Sequence, residues 1–321
     1  MTSLYLVTGG AGFIGSHITT ALVERGDRVR VLDSLIGGSA GNLAHLEVGE
    51  VGSGAPVELL VGDIRDKAVL PAACEGVHGL FHEAAQVSVP ASIDDPGNSY
   101  DVNVTGMLRL LEAARHAGVK RVVFAASSAA YGNGQELPKR EAMLPEPLSP
   151  YASGKIAGEH LLKVWGEVHG LKTVALRYFN VFGPRQSDDS PYSGVITIFA
   201  NALLAGRAPT ILGDGLQTRD FVYVRNVVDA NLAAMASDLA PGTVINIGGG
   251  ESITLIDLYR ALAEAVGVDL EPDFAPARAG DVRHSSGDLS RARELLGFEP
   301  KVHWRAGVAE TVDWYRAKMN G

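Results

Sequence analysis

With 321 residues and 46% apolar content, the chain can bury a large core, and its length suits two domains or one domain with a lobe. Its 28 basic and 37 acidic residues leave a net charge of −9, which argues against a nucleic-acid or anionic-membrane surface because phosphate-tracking proteins carry a basic field. The single cysteine, Cys74, excludes an internal disulfide, no leader or membrane-length apolar run is visible, and the nine histidines lack metal-ligand spacing; a cytoplasmic protein without metal is expected, with His82, His160 and His169 in packing or surface roles.

The first element in chain order is "LYLVTG", a short buried strand. Gly9, Gly12 and Gly15 follow it, and then Ile14, Ile18, Leu22 and Val23 recur at helical intervals. A glycine turn at that junction lets backbone approach a ligand, and the helix N-terminus presents free N–H groups to an anion such as a pyrophosphate. The spacing is GxxGxxG, so the second strand carries weight. "RVRVLD" ends in Asp33, about twenty residues beyond the glycines, where a carboxylate accepts hydrogen bonds from an adenosine ribose. The stretch "SLIGGSAGNL" after it offers no Arg or Lys for a 2′-phosphate, which predicts NAD over NADP.

"VELLVGD" closes on Asp63, "GLFHEAA" leads into His82 to Gln86, "RVVFAASS" ends at Ser127 and Ser128, and "KTVALRYFN" ends at Asn180. Helical patterns over 104–117 and 152–169 separate them. This alternation predicts an α/β fold: a doubly wound parallel sheet of Rossmann type, with ligands at the C-terminal strand ends. From residue 181 the segments are shorter and richer in Gly and Pro, as in "FGPRQSDDSPYSG" and "EPDFAPARAGD". We therefore expect an NAD-binding domain over 1–180 and a smaller α/β lobe for substrate over 181–321, with "GTVINIGGG" (242–250) rejoining the first sheet.

The chemistry is carried by "LSPYASGKIAGEHLL", residues 148–162. Ser149 is a natural N-cap and Pro150 a natural first helical residue, so Tyr151 falls in the first turn and Lys155 lies one turn on, along the same face. A tyrosine normally titrates near pH 10; an adjacent ammonium and the positive helix end both favour phenolate, which makes Tyr151 a candidate base.

Together, "TGGAGFIG", "GDIRD", "HEAAQ", "NVTG", "SSAAYG", the Tyr151/Lys155 pair, "RYFNVFGPRQ", "GDGLQTRDFVYV" and "ARAGDVRHS" resemble the extended short-chain dehydrogenase/reductases, and within them the UDP-hexose 4-epimerases. The resemblance spans nearly the whole chain. It implies that Ser127 hydrogen-bonds the substrate O4, Tyr151 takes the O4 proton, and Lys155 holds the nicotinamide ribose and lowers the tyrosine pKa. Hydride leaves C4 for NAD, the 4-keto sugar turns about its pyrophosphate tether, and hydride returns to the other face, so the cofactor stays bound.

The same resemblance assigns the cofactor to Gly9, Gly12, Phe13, Ile14, Gly15, Asp33, Ser34, Asp63, Ile64, Ala84, Ala85, Gln86, Asn103, Tyr151, Lys155 and Tyr178. For the substrate it assigns Ser128, Val195, Ile196, Thr210, Leu212 and Ser285, with Asn180 on the sugar-linked phosphate, Arg219 and Arg278 clamping the diphosphate, and Asp281 on the uridine ribose. A homodimer built from two helices of each subunit, near 104–117 and 152–169, is also implied. Ser285 stands four residues beyond Asp281, where a tyrosine would leave room only for a hydroxyl at the hexose C2. Serine there frees space for an N-acetyl group, so UDP-GlcNAc and UDP-GalNAc are expected substrates alongside UDP-glucose and UDP-galactose; the opposing reading is that His284 or Tyr192 fills the space.

Within the family the runner-up is a nucleotide-sugar 4,6-dehydratase, which needs an acid pair directly after the catalytic Thr or Ser. Ser128 and Ala129 stand there instead, so elimination lacks its proton carriers. A decarboxylase, a reductase and a non-catalytic nucleotide binder also compete with the epimerase.

Overall fold

The computed structural model describes residues 2–187, 194–277 and 283–320. One sheet organises the chain. Its strands are β1 (Leu4–Thr8), β2 (Arg28–Asp33), β3 (Val48–Gly49), β4 (Val57–Val61), β5 (Gly79–His82), β6 (Arg121–Ser127), β7 (Lys172–Tyr178) and a late strand, Thr243–Ile247. All pair in parallel, in the order β3-β4-β2-β1-β5-β6-β7 with Thr243–Ile247 on the outer side of β7. The order reverses between β1 and β5, so the crevice for a ligand opens above those two strands. β1, β5, β6 and β7 are almost entirely buried, as apolar strands sandwiched between helical layers must be.

Helices α1 (Phe13–Glu24), α2 (Leu70–Cys74), α3 (Val89–Asp94), α4 (Pro96–Tyr100), α5 (Met107–His116) and α6 (Pro150–His169) follow the strands. One face of the sheet packs a cluster that includes Val7, Ile18, Leu22, Phe81 and Val123; the other packs Leu6, Leu80, Leu110, Leu111, Phe124 and Leu162. The helix expected over 104–117 is longer and interrupted: a π-helical turn, Asp101–Gly106, joins α4 to α5 and carries Asn103.

The sequence after β7 alternates between the sheet and a lobe. β8 (Asn180–Phe182) pairs with β11 (Phe221–Tyr223), β9 (Thr210–Leu212) with β14 (Asp273–Ala275), and β10 (Thr218–Arg219) with β13 (Ile253–Thr254), the late sheet strand being β12. α7 (Val195–Leu204), α9 (Leu255–Val266) and, after the short α10 (Ser290–Leu296), α11 (Trp304–Asn320) enclose a third core with Phe182, Phe199, Tyr223, Leu258 and Val308. α8 (Val224–Ala236) places its Val227, Val228, Ala230 and Ala234 in the core of the main sheet.

α6 shows how local sequence places a functional side chain. The Ser149 hydroxyl accepts from the Ala152 N–H at 3.2 Å, Pro150 occupies the first turn, and left-handed Gly170 closes the helix. Ser149→Ala is expected to destabilise the fold by about 1 kcal/mol, read as a lower melting temperature, because one first-turn N–H loses its acceptor; an unchanged melting temperature would show that the cap is redundant with tertiary packing.

Candidate active site

The glycine turn between β1 and α1 is shaped by contact. Gly9 has φ +68°, and a Cβ there would lie 2.7 Å from the Ala84 nitrogen; a Cβ on Gly15 would overlap the Gly9 carbonyl oxygen. Among the described residues no side chain caps α1, so the first-turn N–H groups at Phe13 and Ile14 are left for an anion. The Phe13 and Ile14 side chains pack on the lobe core. Asp33, buried at the end of β2, accepts from Ala11 N–H at 2.9 Å and Leu35 N–H at 2.8 Å. The Gly-rich loop that follows is fastened to the turn, with Ser39 N–H and Asn42 Nδ2 both donating to the Ala11 carbonyl at 2.9 Å. Ser34 is exposed beside it.

At the end of β5, Asn103 clasps the Gln86 main chain from both sides, its Oδ1 accepting from Gln86 N–H at 2.9 Å and its Nδ2 donating to Gln86 O at 3.0 Å. That clasp holds Ala84 to Gln86 against the glycine turn. Asp63 is bound by the Arg65 guanidinium (2.7 Å and 3.0 Å), which holds its carboxyl below the usual range; the Ile64 side chain is core.

α6 brings Tyr151 and Lys155 over the ends of β5 and β6. The Tyr151 N–H is accepted by Ser92 Oγ at 3.2 Å. Ser127 and Ser128 sit where β6 turns into a short 3-10 helix, and Ser127 Oγ accepts from Ala129 N–H at 3.2 Å while lying close enough to Tyr151 to favour its ionised form by hydrogen bonding. Lys155 is 3% exposed; its Nζ donates to Ala125 O at 2.7 Å and lies 5.8 Å from the centre of the Tyr151 ring.

The electrostatics differ from the expectation that Lys155 draws the Tyr151 pKa down. Burial holds Tyr151 above its ordinary value and the Glu83 carboxylate adds to this, with Ser127 opposing. Lys155 is itself pushed below the usual lysine range by burial, with Glu83 restraining the fall. Its hydrogen bond goes to a carbonyl, not to the phenol.

Of the remaining assignments, Tyr178 belongs to the main sheet and the others lie on the lobe side. Tyr178, at the end of β7, donates to Glu83 Oε1 at 3.0 Å and accepts from Asn231 Nδ2 at 2.7 Å. Asn180 Nδ2 donates to Asp220 O at 3.0 Å. Arg219, on β10, donates from Nη1 to Thr218 O at 2.9 Å and Arg283 O at 3.4 Å, and Ser285 N–H donates to Thr218 O at 3.1 Å. Val195 and Ile196 open α7, with Ile196 buried in the lobe core, and Thr210 and Leu212 lie on β9. Arg278, Asp281 and Tyr192 lie outside the described residues.

Sequence reasoning missed Glu83, Asn231 and Asp220. The last is fully buried, accepts from Gly249 N–H at 2.6 Å and Gly287 N–H at 3.1 Å, and is pushed up to about 6 by burial. It ties the loop before Asp288 to the end of β12. The signal for Glu83 was in view, as an acid at the end of an otherwise apolar strand. His82, also in that motif, is core: it pairs with Thr8 Oγ1 at 2.8 Å, and burial lowers it to about 3, so it stays neutral.

A family model described as the NAD dependent epimerase/dehydratase family matches residues 5–248. A UDP-glucose 4-epimerase from Mycolicibacterium smegmatis is 43% identical over 315 residues, covering 98% of each chain. Among solved structures, a Thermus thermophilus UDP-glucose 4-epimerase in complex with NAD is 40% identical with a TM-score of 0.85, over 98% of this chain and 99% of that one. A UDP-N-acetylglucosamine 4-epimerase from Methanobrevibacter ruminantium, in complex with UDP-N-acetylmuramic acid, is 37% identical with a TM-score of 0.92, over 99% of this chain and 100% of that one.

Proposed function

The chain belongs to the NAD-dependent epimerase/dehydratase family, and from that premise we propose that it interconverts UDP-glucose and UDP-galactose by inverting the sugar C4. The observation that carries the reading is the placement of Tyr151, Ser127 and Lys155 on one side of the crevice whose other side is the Gly9–Gly15 turn and Asp33.

The residues present suit NAD: an uncapped helix N-terminus for the pyrophosphate, Asp33 for the adenosine ribose, and no Arg or Lys in 34–43 to meet a 2′-phosphate. Bound NAD supplies a hydride acceptor and donor at C4 and, as the oxidised ring, a positive charge that favours the Tyr151 phenolate. Tyr151 removes the O4 proton and later returns it, Ser127 orients O4 and the phenol, and Lys155 serves the nicotinamide ribose. Lys155 is buried, and Ser127 and Tyr151 are half-buried at the crevice, where a bound sugar covers them. Replacing Asp33 by Ser together with an Arg nearby is expected to admit NADP; protein that carries NADP as purified, or binds it more tightly than NAD before any substitution, would contradict the role given to Asp33.

In the lobe, Asn180 meets the sugar-linked phosphate and Arg219 the diphosphate, joined from the segment outside the described residues by Arg278 on the diphosphate and Asp281 on the uridine ribose. Ser285, on the strand-like pairing with Thr218, leaves room at the hexose C2, and we infer turnover of UDP-GlcNAc and UDP-GalNAc as well. We assign residues 1–180 to NAD, with 242–250 returning to that sheet, and 181–321 to the nucleotide sugar. A homodimer in the cytoplasm completes the reading, pairing through the helices near 104–117 and 152–169; the exposed Val164 and Val168 on α6 support that face. Among the described residues no helix is long and apolar enough to cross a membrane. The test is a panel of UDP- and dTDP-sugars assayed for C4 inversion. Inversion of UDP-hexoses supports the proposal, and inertness towards all of them overturns it.

A further inference from the structure

We propose that Asp220 is a positioning residue for the nucleotide sugar: from the junction of β10 and β11 its carboxylate fastens the segment 283–288, which carries Ser285, to the end of the main sheet, and its carbonyl sets the orientation of Asn180. The proposal rests on the function given above and deepens it. Asp220 is fully buried, so it acts through the residues it holds.

The geometry that carries it is one acid on which three distant segments meet. Asp220 Oδ1 accepts from the Gly249 N–H at 2.6 Å, just past β12, and Oδ2 accepts from the Gly287 N–H at 3.1 Å. The carboxylate lies against Gly248, where a Cβ would come within 2.7 Å of Oδ2, so no side chain fits between them. On the main chain, the Asp220 carbonyl accepts from both the N–H and the Nδ2 of Asn180, each at 3.0 Å. Asn180, the end of β12 and the 283–288 segment are thus joined at a single residue, with Arg219 next to it in the chain.

The other ties of the 283–288 segment leave the Gly287 N–H to this acid. Thr218 N–H donates to Arg283 O at 3.0 Å and Ser285 N–H to Thr218 O at 3.1 Å; beyond them, Lys139 N–H donates to Ser286 O at 2.7 Å and Asp288 N–H to Lys139 O at 2.8 Å. Gly287 is also pressed onto Phe179, whose ring a Cβ would meet at 2.6 Å, and Phe179 leads directly into Asn180. Ser285 and Asn180 are therefore set against each other through Asp220. A carboxylate in so dry a place is sustained by the donors aimed at it, so the acid and the two glycine N–H groups hold one another in position.

Asp220→Asn keeps the shape and the carbonyl but turns an NH₂ group towards one of the two glycine N–H groups, so that tie opens. The sugar is gripped at its tether before, during and after hydride transfer, so a loosened segment weakens ground state and transition state alike. In NAD-containing protein, Asp220→Asn should raise KM for UDP-glucose about tenfold, the scale of one lost charge-assisted hydrogen bond, with kcat and bound NAD within about twofold of wild type. Deuterium exchange over residues 283–288, read by mass spectrometry, should quicken in the same variant. A lowered melting temperature with KM unchanged overturns the proposal, because it leaves Asp220 a structural acid alone; loss of NAD or of kcat in place of the KM change overturns it too. If Asp220→Asn does not fold, Asp220→Ser, which removes the carboxylate without forcing a donor on either N–H, is read in the same way. A wild-type chain inert towards every UDP-sugar overturns the sugar-positioning role together with the function, and the exchange over 283–288 tells that failure apart: quickened in the variant, it leaves the anchor standing and removes only the sugar it was meant to hold.

Discussion

Tyr151→Phe is expected to retain the fold and bound NAD while losing at least ~100-fold in kcat, about 2.7 kcal/mol of transition-state stabilisation. The ring is placed by the first turn of α6, which Ser149, Pro150 and the Ser92 contact to the Tyr151 N–H hold independently of the hydroxyl. Only the phenolic oxygen is removed. Asp33, the Gly9–Gly15 turn and the Asn103 clasp on Gln86 lie on other elements, so the dinucleotide site is unaffected. Burial raises the Tyr151 pKa, and no other group given the role of base stands at O4 to replace the phenol. Turnover of UDP-glucose, cofactor content and melting temperature measured on one preparation check this. Near-normal epimerisation would remove Tyr151 from the mechanism, and lost NAD would make it a binding residue first.

Ser285→Tyr is expected to abolish turnover of UDP-GlcNAc and UDP-GalNAc and to spare or improve that of UDP-glucose. The backbone at 285 is pinned to Thr218, next to Arg219, so a larger side chain there meets the sugar without moving the strand. His284, the rival occupant of the space, is exposed and engaged with Thr218 Oγ1 at 3.0 Å. Size discrimination runs one way: a roomy pocket admits the small sugar at a loss of ~1 to 3 kcal/mol of contact, whereas an aromatic ring in the N-acetyl position excludes the large one. The check is kcat/KM for both sugar pairs in wild type and variant. Equal loss on both pairs, or a wild-type enzyme inert towards the N-acetyl sugars, would sink the assignment.

What could be read from sequence follows the range of the forces involved. The parallel sheet and α6 are written in local pattern: apolar strand runs, then Ser149 and Pro150 at the place where a helix must start. The place of Asp33 at the end of β2 was legible because strand, turn and acid stand at a fixed spacing. The lobe was legible only as a change in composition, since β10 and β13 are two residues long and carry no periodicity. The π turn at Asp101–Gly106 has no local signature, and Asn103 there makes its contacts seventeen residues away, at Gln86. α8 packing on the main sheet, across the expected boundary, depends in the same way on tertiary contact. The pKa of Tyr151 could not be read from YxxxK, because spacing supplies the neighbour and burial supplies the larger effect.

Every role proposed for the site depends on the return of the same hydride to the opposite face of C4. Incubating the purified protein, without added cofactor, with UDP-glucose deuterated at C4 tests this directly by NMR. The expected result is UDP-galactose that retains deuterium at C4, reaching the mixture that is also reached from unlabelled UDP-galactose. Loss of the label to solvent, accumulation of a 4-keto-6-deoxy sugar, or no inversion at C4 would contradict it.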